Sequence, residues 1–404
     1  MNILLLTNCI KQPDDIDAST DVVFSFAKEW AAAGNKVVII HNESKFPLFM
    51  YKFPQFIYDW MKKKQNFAIP SISSREKLFR EQEGVIIARF PIFKIFPHVS
   101  FTTRTYEKQL IMITEYLDSL KFVPDIVTGH WLEPQLRQVY DLGEKYAAKK
   151  GFVVHGELPQ KINDEYKKYI KSLDFLFFRS QSTAEKMLRK CSYLNSRKTG
   201  VCFSGIPEKY ISDIHFRTKS EWKKNDIFKL IYVGRLIAYK KIDSVLKALK
   251  IAFPDGNYQF DIVGDGSERA ELEKICRSNN MQNSVVFHGR ISRDEVQTKL
   301  READCFVMIS ENEVFGLVYL EAMANGCITV ASKKGGVDGI IQNGVNGFLC
   351  EQGDEKELAQ ILLNINAMSY TEIAEIRENA AKTVENYTDS KVADMYLKHI
   401  IRGK

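Results

Sequence analysis

Two glutamates eight positions apart carry the sharpest chemical signal in this sequence. Residues 310–326 read S-E-N-E-V-F-G-L-V-Y-L-E-A-M-A-N-G, with Glu313 and Glu321 bracketing an apolar stretch. The apolar run ending at Met308 predicts a strand, and Phe315-Gly316-Leu317 predicts the start of a helix. Gly316 lets an anion approach the backbone closely. The unpaired N–H groups and positive dipole end of a helix beginning there suit a diphosphate. Were the whole interval helical, its eight residues would span about 12 Å. That is the scale of a nucleotide sugar, with one carboxylate on sugar hydroxyls and the other on ribose hydroxyls. Taken alone, the same two acids also describe a helix with a solvated face.

The surrounding letters favour the first reading. The segment resembles the E-x7-E stretch of the glycosyltransferase family 4 enzymes almost letter for letter. That resemblance implies that Glu313 contacts the donor sugar and that Glu321 grips the ribose, with Phe315, Gly316 and Leu317 at the helix start between them. It extends over most of the chain. Tyr232–Asp243 reads Y-V-G-R-L-I-A-Y-K-K-I-D and is similar to the family's G-R-L-x-x-x-K segment, which places Arg235 and Lys240 on the diphosphate. A guanidinium forks onto phosphate oxygens and an ammonium adds point charge. Both would stabilise a leaving group as its charge develops. Ile262–Glu273 resembles the family's V-G-D-G-P-E turn, and Gly264 and Gly266 are read mainly as a tight strand-to-helix turn. Val286–Ile291 falls where the family contacts the base, making Arg290 and Ile291 the candidates there.

In the N-terminal half, V-V-H-G-E at Val153–Glu157 resembles the strand end whose histidine reaches the donor sugar. His155 is therefore the candidate for the reaction centre, although a histidine ending an apolar strand is equally often a satisfied core residue. His130, in G-H-W, is a second candidate on the acceptor side. Ser180 and Ser204-Gly205-Ile206 echo other family loops. The sequence departs from the pattern at Asp17-Ala18, where the family often has Gly-Gly, and at Gly339, where G-G-x-x-E lacks its Glu. Asp15 and Asp17 have the Asp-x-Asp spacing that holds a divalent ion in a different glycosyltransferase fold. Here they follow the first strand beside Asp14, so a solvated acidic loop is expected and no metal is called for.

These residues need elements to hold them, and the chain supplies a βαβ rhythm. Strands are expected at Ile3–Thr7, Lys36–Ile40, Gly84–Phe90, Ile126–Gly129, Phe152–His155, Phe175–Arg179 and Lys198–Phe203, with helical stretches between most of them. After the charged stretch Lys219–Lys229 the rhythm restarts. Strands follow at Phe228–Val233, Tyr258–Val263, Val285–Gly289, Asp304–Met308 and Ile328–Ser332. Helices are expected near Ile242–Ala252, Glu268–Ser278, Ser292–Ala303, Leu317–Asn325 and Glu355–Ile365, with a last one at Val392–Ile401. The fold class is α/β, with two Rossmann-like doubly wound parallel-sheet domains facing a central cleft, and ligands beyond the carboxyl ends of the strands. The resemblance implies the GT-B arrangement, with the final helix returning to the first domain. That divides the chain into an acceptor-side domain, residues 1–205 plus 388–404, and a nucleotide-sugar-binding domain, residues 206–387.

Length and composition are compatible with this. The chain has 404 residues, 45% of them hydrophobic and 27% charged, enough for two packed cores. A net charge of +6 over this length does not point to nucleic acid. No secretory signal is visible, and no stretch approaches the ~20 apolar residues of a membrane span, so a soluble or peripheral chain is expected. Seven scattered cysteines without a Cys-x-x-Cys pair read as reduced thiols of a cytosolic protein rather than zinc ligands.

The expected activity is that of a retaining, hexosyl-type glycosyltransferase using a UDP- or GDP-linked sugar as donor substrate and no cofactor, in surface polysaccharide or glycolipid assembly. The acceptor hydroxyl would attack from the side the diphosphate leaves, and domain closure would exclude water. An epimerase or phosphorylase on the same scaffold, or a non-catalytic subunit of a transferase complex, are the alternatives. The expected partners are the nucleotide sugar, a carbohydrate or lipid-linked acceptor and an anionic membrane surface. The last comes from Lys45–Lys64, where seven aromatics and five lysines meet one acid, and from Phe93, Lys94, Phe96, Phe101 and Arg104 in Pro91–Arg104. The same aromatics also suit the core of the first domain, with the lysines as its rim.

Overall fold

The computed structural model describes residues 1–10, 22–54, 56–58, 72–97, 99–159, 162–212, 227–311 and 313–402. Asp14, Asp15, Asp17 and Ala18, together with most of the expected linker and residues 55 and 59–64 of Lys45–Lys64, lie outside them. The chain forms two compact units. Unit 1 comprises Met1–Arg179, Thr183–Cys202 and Ala393–Lys404; unit 2 comprises Ser180–Ser182 and Phe203–Val392. Each is an α/β unit built on one sheet.

Unit 1 contains β1 (Asn2–Thr7), β2 (Lys36–Lys45), β3 (Leu78–Gln82), β4 (Val85–Phe93), β5 (Ile126–His130), β6 (Lys149–Val153), β7 (Phe175–Phe178) and β8 (Thr199–Val201). Their order is β3-β4-β2-β1-β5-β6-β7-β8, parallel throughout except for β3 against β4. The central strand β1 is covered on both faces, so Ile3 to Leu6 form an unbroken apolar run without exposure. The sequence reading did not contain β3. It is a mostly exposed edge strand joined to β4 by Glu83 and Gly84. Both have positive φ, +50° and +75°, as a two-residue hairpin turn requires. Gly84, expected as the first residue of a strand, therefore belongs to the turn. The last helix, Asp389–Arg402, contributes its final residues to this unit. Trp30 Nε1 donates to the Ala393 carbonyl at 2.9 Å, and Ile400 packs where a side chain at Gly151 would stand.

Unit 2 contains β9 (Phe228–Val233), β10 (Tyr258–Val263), β11 (Val285–Gly289), β12 (Cys305–Met308), β13 (Ile328–Ser332) and β14 (Phe348–Cys350). The order β11-β10-β9-β12-β13-β14 is parallel throughout. The chain winds outward from β9 in one direction and then from β12 in the other, so the topological switch point lies between β9 and β12. Helices cover the sheet, and two begin with reciprocal capping boxes, Ser292 with Glu295 and Ser369 with Glu372. The second of these, Tyr370–Val384, was not among the expected helices.

Candidate active site

At the switch point the loop after β9 meets the loop after β12. Tyr232 Oη donates to the Arg235 carbonyl at 2.9 Å, which holds the first turn of the β9 loop. Glu311 N donates to the Tyr239 carbonyl at 2.7 Å and ties the two loops together. Lys241 and Glu311 pair at 2.9 Å alongside. Inside this brace, Lys240 and Glu313 form an ion pair with side chains only 11% and 12% exposed. The phenols of Tyr232 and Tyr319 are pushed above their usual range, by burial first and then by the Glu313 carboxylate, which places that carboxylate beside both. Arg235 is exposed, and its Nη2 reaches Tyr239 Oη at 3.5 Å.

The backbone around the pair is close-packed at glycines. A Cβ on Gly264 would lie 1.9 Å from the Gly234 carbonyl oxygen, so the loops after β9 and β10 meet through their main chains. This supports the reading of Gly264 as a structural turn. Gly316 caps the helix Leu317–Ala324 with φ +75° and ψ +71°, left-handed backbone that favours glycine. Tyr319 Oη donates to the Met308 carbonyl at 2.7 Å and anchors that helix start to the end of β12. The first N–H groups of the helix are left without an intrahelical acceptor.

Glu321 is buried on this helix, and Arg293 Nη2 donates to its Oε1 at 2.9 Å. Arg290 and Ile291 follow β11 directly, the first exposed and the second half-buried. Ser292 then caps the helix that Arg293 opens. The structure thus brings Lys240 together with Glu313 and keeps Arg235 on the same loop. It links Glu321 to the Arg290–Ile291 loop through Arg293, which the sequence reading missed. Its only advance signal was its place directly after Ser292, the cap of the S-x-x-E box. Gly339 has φ +87°, so the departure from G-G-x-x-E coincides with left-handed backbone.

His155 belongs to unit 1. It was expected at the end of a strand, but β6 stops at Val153. His155 Nε2 lies 3.0 Å from His130 Nδ1, and the Trp131 ring stacks on it at 4.0 Å and 8°. His130 is entirely buried, which corrects its reading as an acceptor contact. It stands behind His155, with its Nε2 3.4 Å from Tyr396 Oη, itself 2.6 Å from Thr128 Oγ1. Both imidazoles are driven well below their usual pKa, by burial first and then by neighbouring positive or imidazole groups, and so are held neutral. Ser180 and Ser204 are buried, and Gly205 packs against the Asp389 backbone.

All seven cysteines are free thiols. Among the described residues no group of three His, Cys, Asp or Glu is placed to hold a metal, and no helix is long and apolar enough to cross a membrane.

Cations, carboxylates and a helix start thus gather at the switch point of a parallel doubly wound sheet, where such folds take their ligands. Residues 214–383 match the family described as glycosyl transferases group 1. N-acetyl-alpha-D-glucosaminyl L-malate synthase of Bacillus anthracis is 32% identical over 130 residues, 32% of this chain and 34% of that one. An uncharacterized glycosyltransferase of Methanocaldococcus jannaschii is 24% identical over 298 residues, 70% and 76% of the two chains. The amylovoran biosynthesis glycosyltransferase AmsK of Erwinia amylovora is 26% identical over 214 residues, 51% of each. The chain spans 34% and 45% of the length of the two first curated relatives. Among solved structures, OtsA superposes with TM-score 0.71 at 14% identity, covering 99% of both chains. Anabaena HepE in complex with UDP and glucose does so with TM-score 0.64 at 16% identity, covering all of both. The fold is that of the GT-B glycosyltransferases.

Proposed function

We propose that this chain is a retaining glycosyltransferase moving a hexose-type sugar from a UDP- or GDP-linked donor to an acceptor hydroxyl, in surface polysaccharide or glycolipid assembly. The observation that carries this is the buried Lys240–Glu313 pair at the β9/β12 switch point, beside exposed Arg235 and the Gly316 helix start. Arg235, Lys240 and the first N–H groups of the helix take the diphosphate, and Glu321 takes the ribose. Glu313 orients the sugar, Arg290 and Ile291 meet the base, and His155 is the proposed catalytic residue of unit 1. The acceptor oxygen bonds to the anomeric carbon on the face from which the diphosphate departs. The anomeric C–O bond breaks, its electron pair leaves with the diphosphate, and a phosphate oxygen takes the acceptor's proton. Two fixed cations stabilise the charge that develops there.

The names of AmsK and of the UDP- and glucose-bound HepE complex support this donor and pathway class. A cytoplasmic location, peripheral to the membrane, fits a lipid-linked acceptor. The test is a panel of nucleotide sugars screened by thermal shift, followed by donor-dependent release of nucleoside diphosphate. A donor that binds only the folded chain raises its stability. Release that requires an acceptor separates transfer from epimerisation, and no binding of any donor would leave only a non-catalytic subunit.

A further inference from the structure

The five exposed phenylalanines among the described residues, Phe49, Phe56, Phe79, Phe93 and Phe96, all fall between residues 49 and 96 of unit 1. Exposed apolar side chains gathered in this way mark an interaction surface. The same region is strongly basic. Residues 44–104 hold eleven lysines and arginines against four acids, an excess of seven, whereas the whole chain's excess is six. The remainder of the protein therefore carries no positive charge to spare.

The fold concentrates these groups at one end of the sheet. Lys45 closes β2 and pairs in register with Phe93 at the end of β4, and Lys94 N donates to the Lys45 carbonyl. The edge strand β3 runs the other way, with Leu78 opposite Arg89, so Arg75 and Lys77 just before it come alongside the same end of β4. Arg75 donates to the Phe46 carbonyl and lies 5.3 Å from the Tyr51 ring centroid. Burial, and then the like charges of Arg75 and Lys77, push the Lys45 ammonium below its usual range, so these cations are close neighbours. Among the described residues none of Lys45, Arg75, Lys77 and Lys94 has a carboxylate partner within 4.0 Å. Phe49 packs on Phe53 at 5.9 Å on the short helix that follows Lys45. This is the carboxyl end of β2 and β4, the end of the parallel sheet at which His130 closes β5 and His155 follows β6.

We infer that this corner of unit 1 is a membrane-docking face, with Lys45, Arg75, Lys77 and Lys94 gripping the phosphates of anionic lipid headgroups while Phe49, Phe93 and Phe96 enter the interface. The excess of cations over acids selects an anionic bilayer over an apolar protein partner. Aromatic rings belong at the headgroup level of a bilayer. The inference rests on the proposed transfer only in making the acceptor lipid-anchored, because it sets the bilayer at the sheet end that carries His155.

The test is co-sedimentation of the full chain with vesicles of phosphatidylcholine alone and of phosphatidylcholine with phosphatidylglycerol, at low and high salt. Binding is expected to the anionic vesicles only and to weaken with salt. Each cation removed should lower the partition coefficient about fivefold, so Lys45→Gln, Arg75→Gln and Lys77→Gln together should lower it about a hundredfold. Lys45→Arg with Lys77→Arg should restore it, which separates charge from folding. Phe49→Ser with Phe96→Ser should weaken binding at every salt concentration. Glu321→Ala should sediment like the parent, so the docking face can stand if the donor assignment fails. No binding to either vesicle, or binding unchanged in the triple glutamine variant, would overturn the inference.

Discussion

Arg293 Nη2 stands 2.9 Å from Glu321 Oε1, joining the first residue of one helix to a buried carboxylate on another. A carboxylate meant for two ribose hydroxyls must present both oxygens in a fixed plane. The guanidinium fixes that plane. Arg293→Ala is expected to raise the dissociation constant for the nucleoside diphosphate about tenfold, roughly 1.4 kcal/mol, with kcat little changed. Arg293→Lys should recover only part of this, since an ammonium lacks the planar fork. Titration calorimetry checks both. An unchanged affinity in Arg293→Ala and in Glu321→Ala would remove the ribose assignment.

The Lys240–Glu313 pair predicts non-additivity. Its side chains are nearly buried, so removing one partner leaves the other charge stranded. Lys240→Ala should destabilise unit 2 by roughly 3 kcal/mol, and adding Glu313→Gln should return most of it. Catalysis should behave differently. Lys240→Ala and Arg235→Ala should each cost about 2–4 kcal/mol of transition-state stabilisation. Glu313→Gln should not rescue that loss, because the cation is still missing. Denaturation and single-turnover rates on the same four proteins separate the two roles.

How much of this was legible in advance depends on burial. Phe228–Val233, Tyr258–Val263 and Ile328–Ser332 have the expected bounds, because strands buried on most of both faces read as short, largely apolar runs between helices. Val285–Gly289 also has them, although it is an edge strand with Val286 exposed. Leu78–Gln82 did not show itself, since an exposed edge strand needs no apolar pattern and Leu-Phe-Arg-Glu-Gln has none that persists. Glu313 and Lys240 were found from the motifs around them. Arg293 was not, because its meeting with Glu321 depends on how the β11 loop and two helices are set in space. The buried role of His130 was hidden for the same reason, as it arises from Tyr396, 266 residues away.

The stereochemical course is the next test. In the proposed mechanism, attack from the leaving group's own face preserves the anomeric configuration, and Arg235 and Lys240 would supply the charge that a divalent ion otherwise provides. The expected product keeps the donor's configuration by proton NMR, and a chelator should leave at least half of the activity. An inverted linkage would end the proposed mechanism. Activity lost to chelation and restored by manganese would shift the diphosphate assignment toward Asp15 and Asp17.

The His130–His155 pair makes a prediction about acid stability whose sign is fixed. Both folded pKa values lie below the unfolded value of about 6.5, through burial first, so the folded unit resists protonation. A base with a depressed folded pKa contributes nothing unfavourable above the unfolded pKa. As pH falls through it, the unfolded chain takes protons that the folded chain refuses. Stability of unit 1 should therefore be flat with respect to this pair from pH 8 to about 6.5. Below that it should fall by up to about 1.4 kcal/mol per pH unit for each imidazole. His155→Gln should remove one proton's worth of that slope. Tyr396→Phe should lower stability at every pH by about 1 kcal/mol, the worth of a buried hydrogen bond, and leave the slope in place. Urea denaturation followed through tryptophan fluorescence at half-unit steps from pH 7.5 to 5.5 measures both. A slope unchanged by His155→Gln would show that this imidazole titrates freely, and that burial does not hold it neutral.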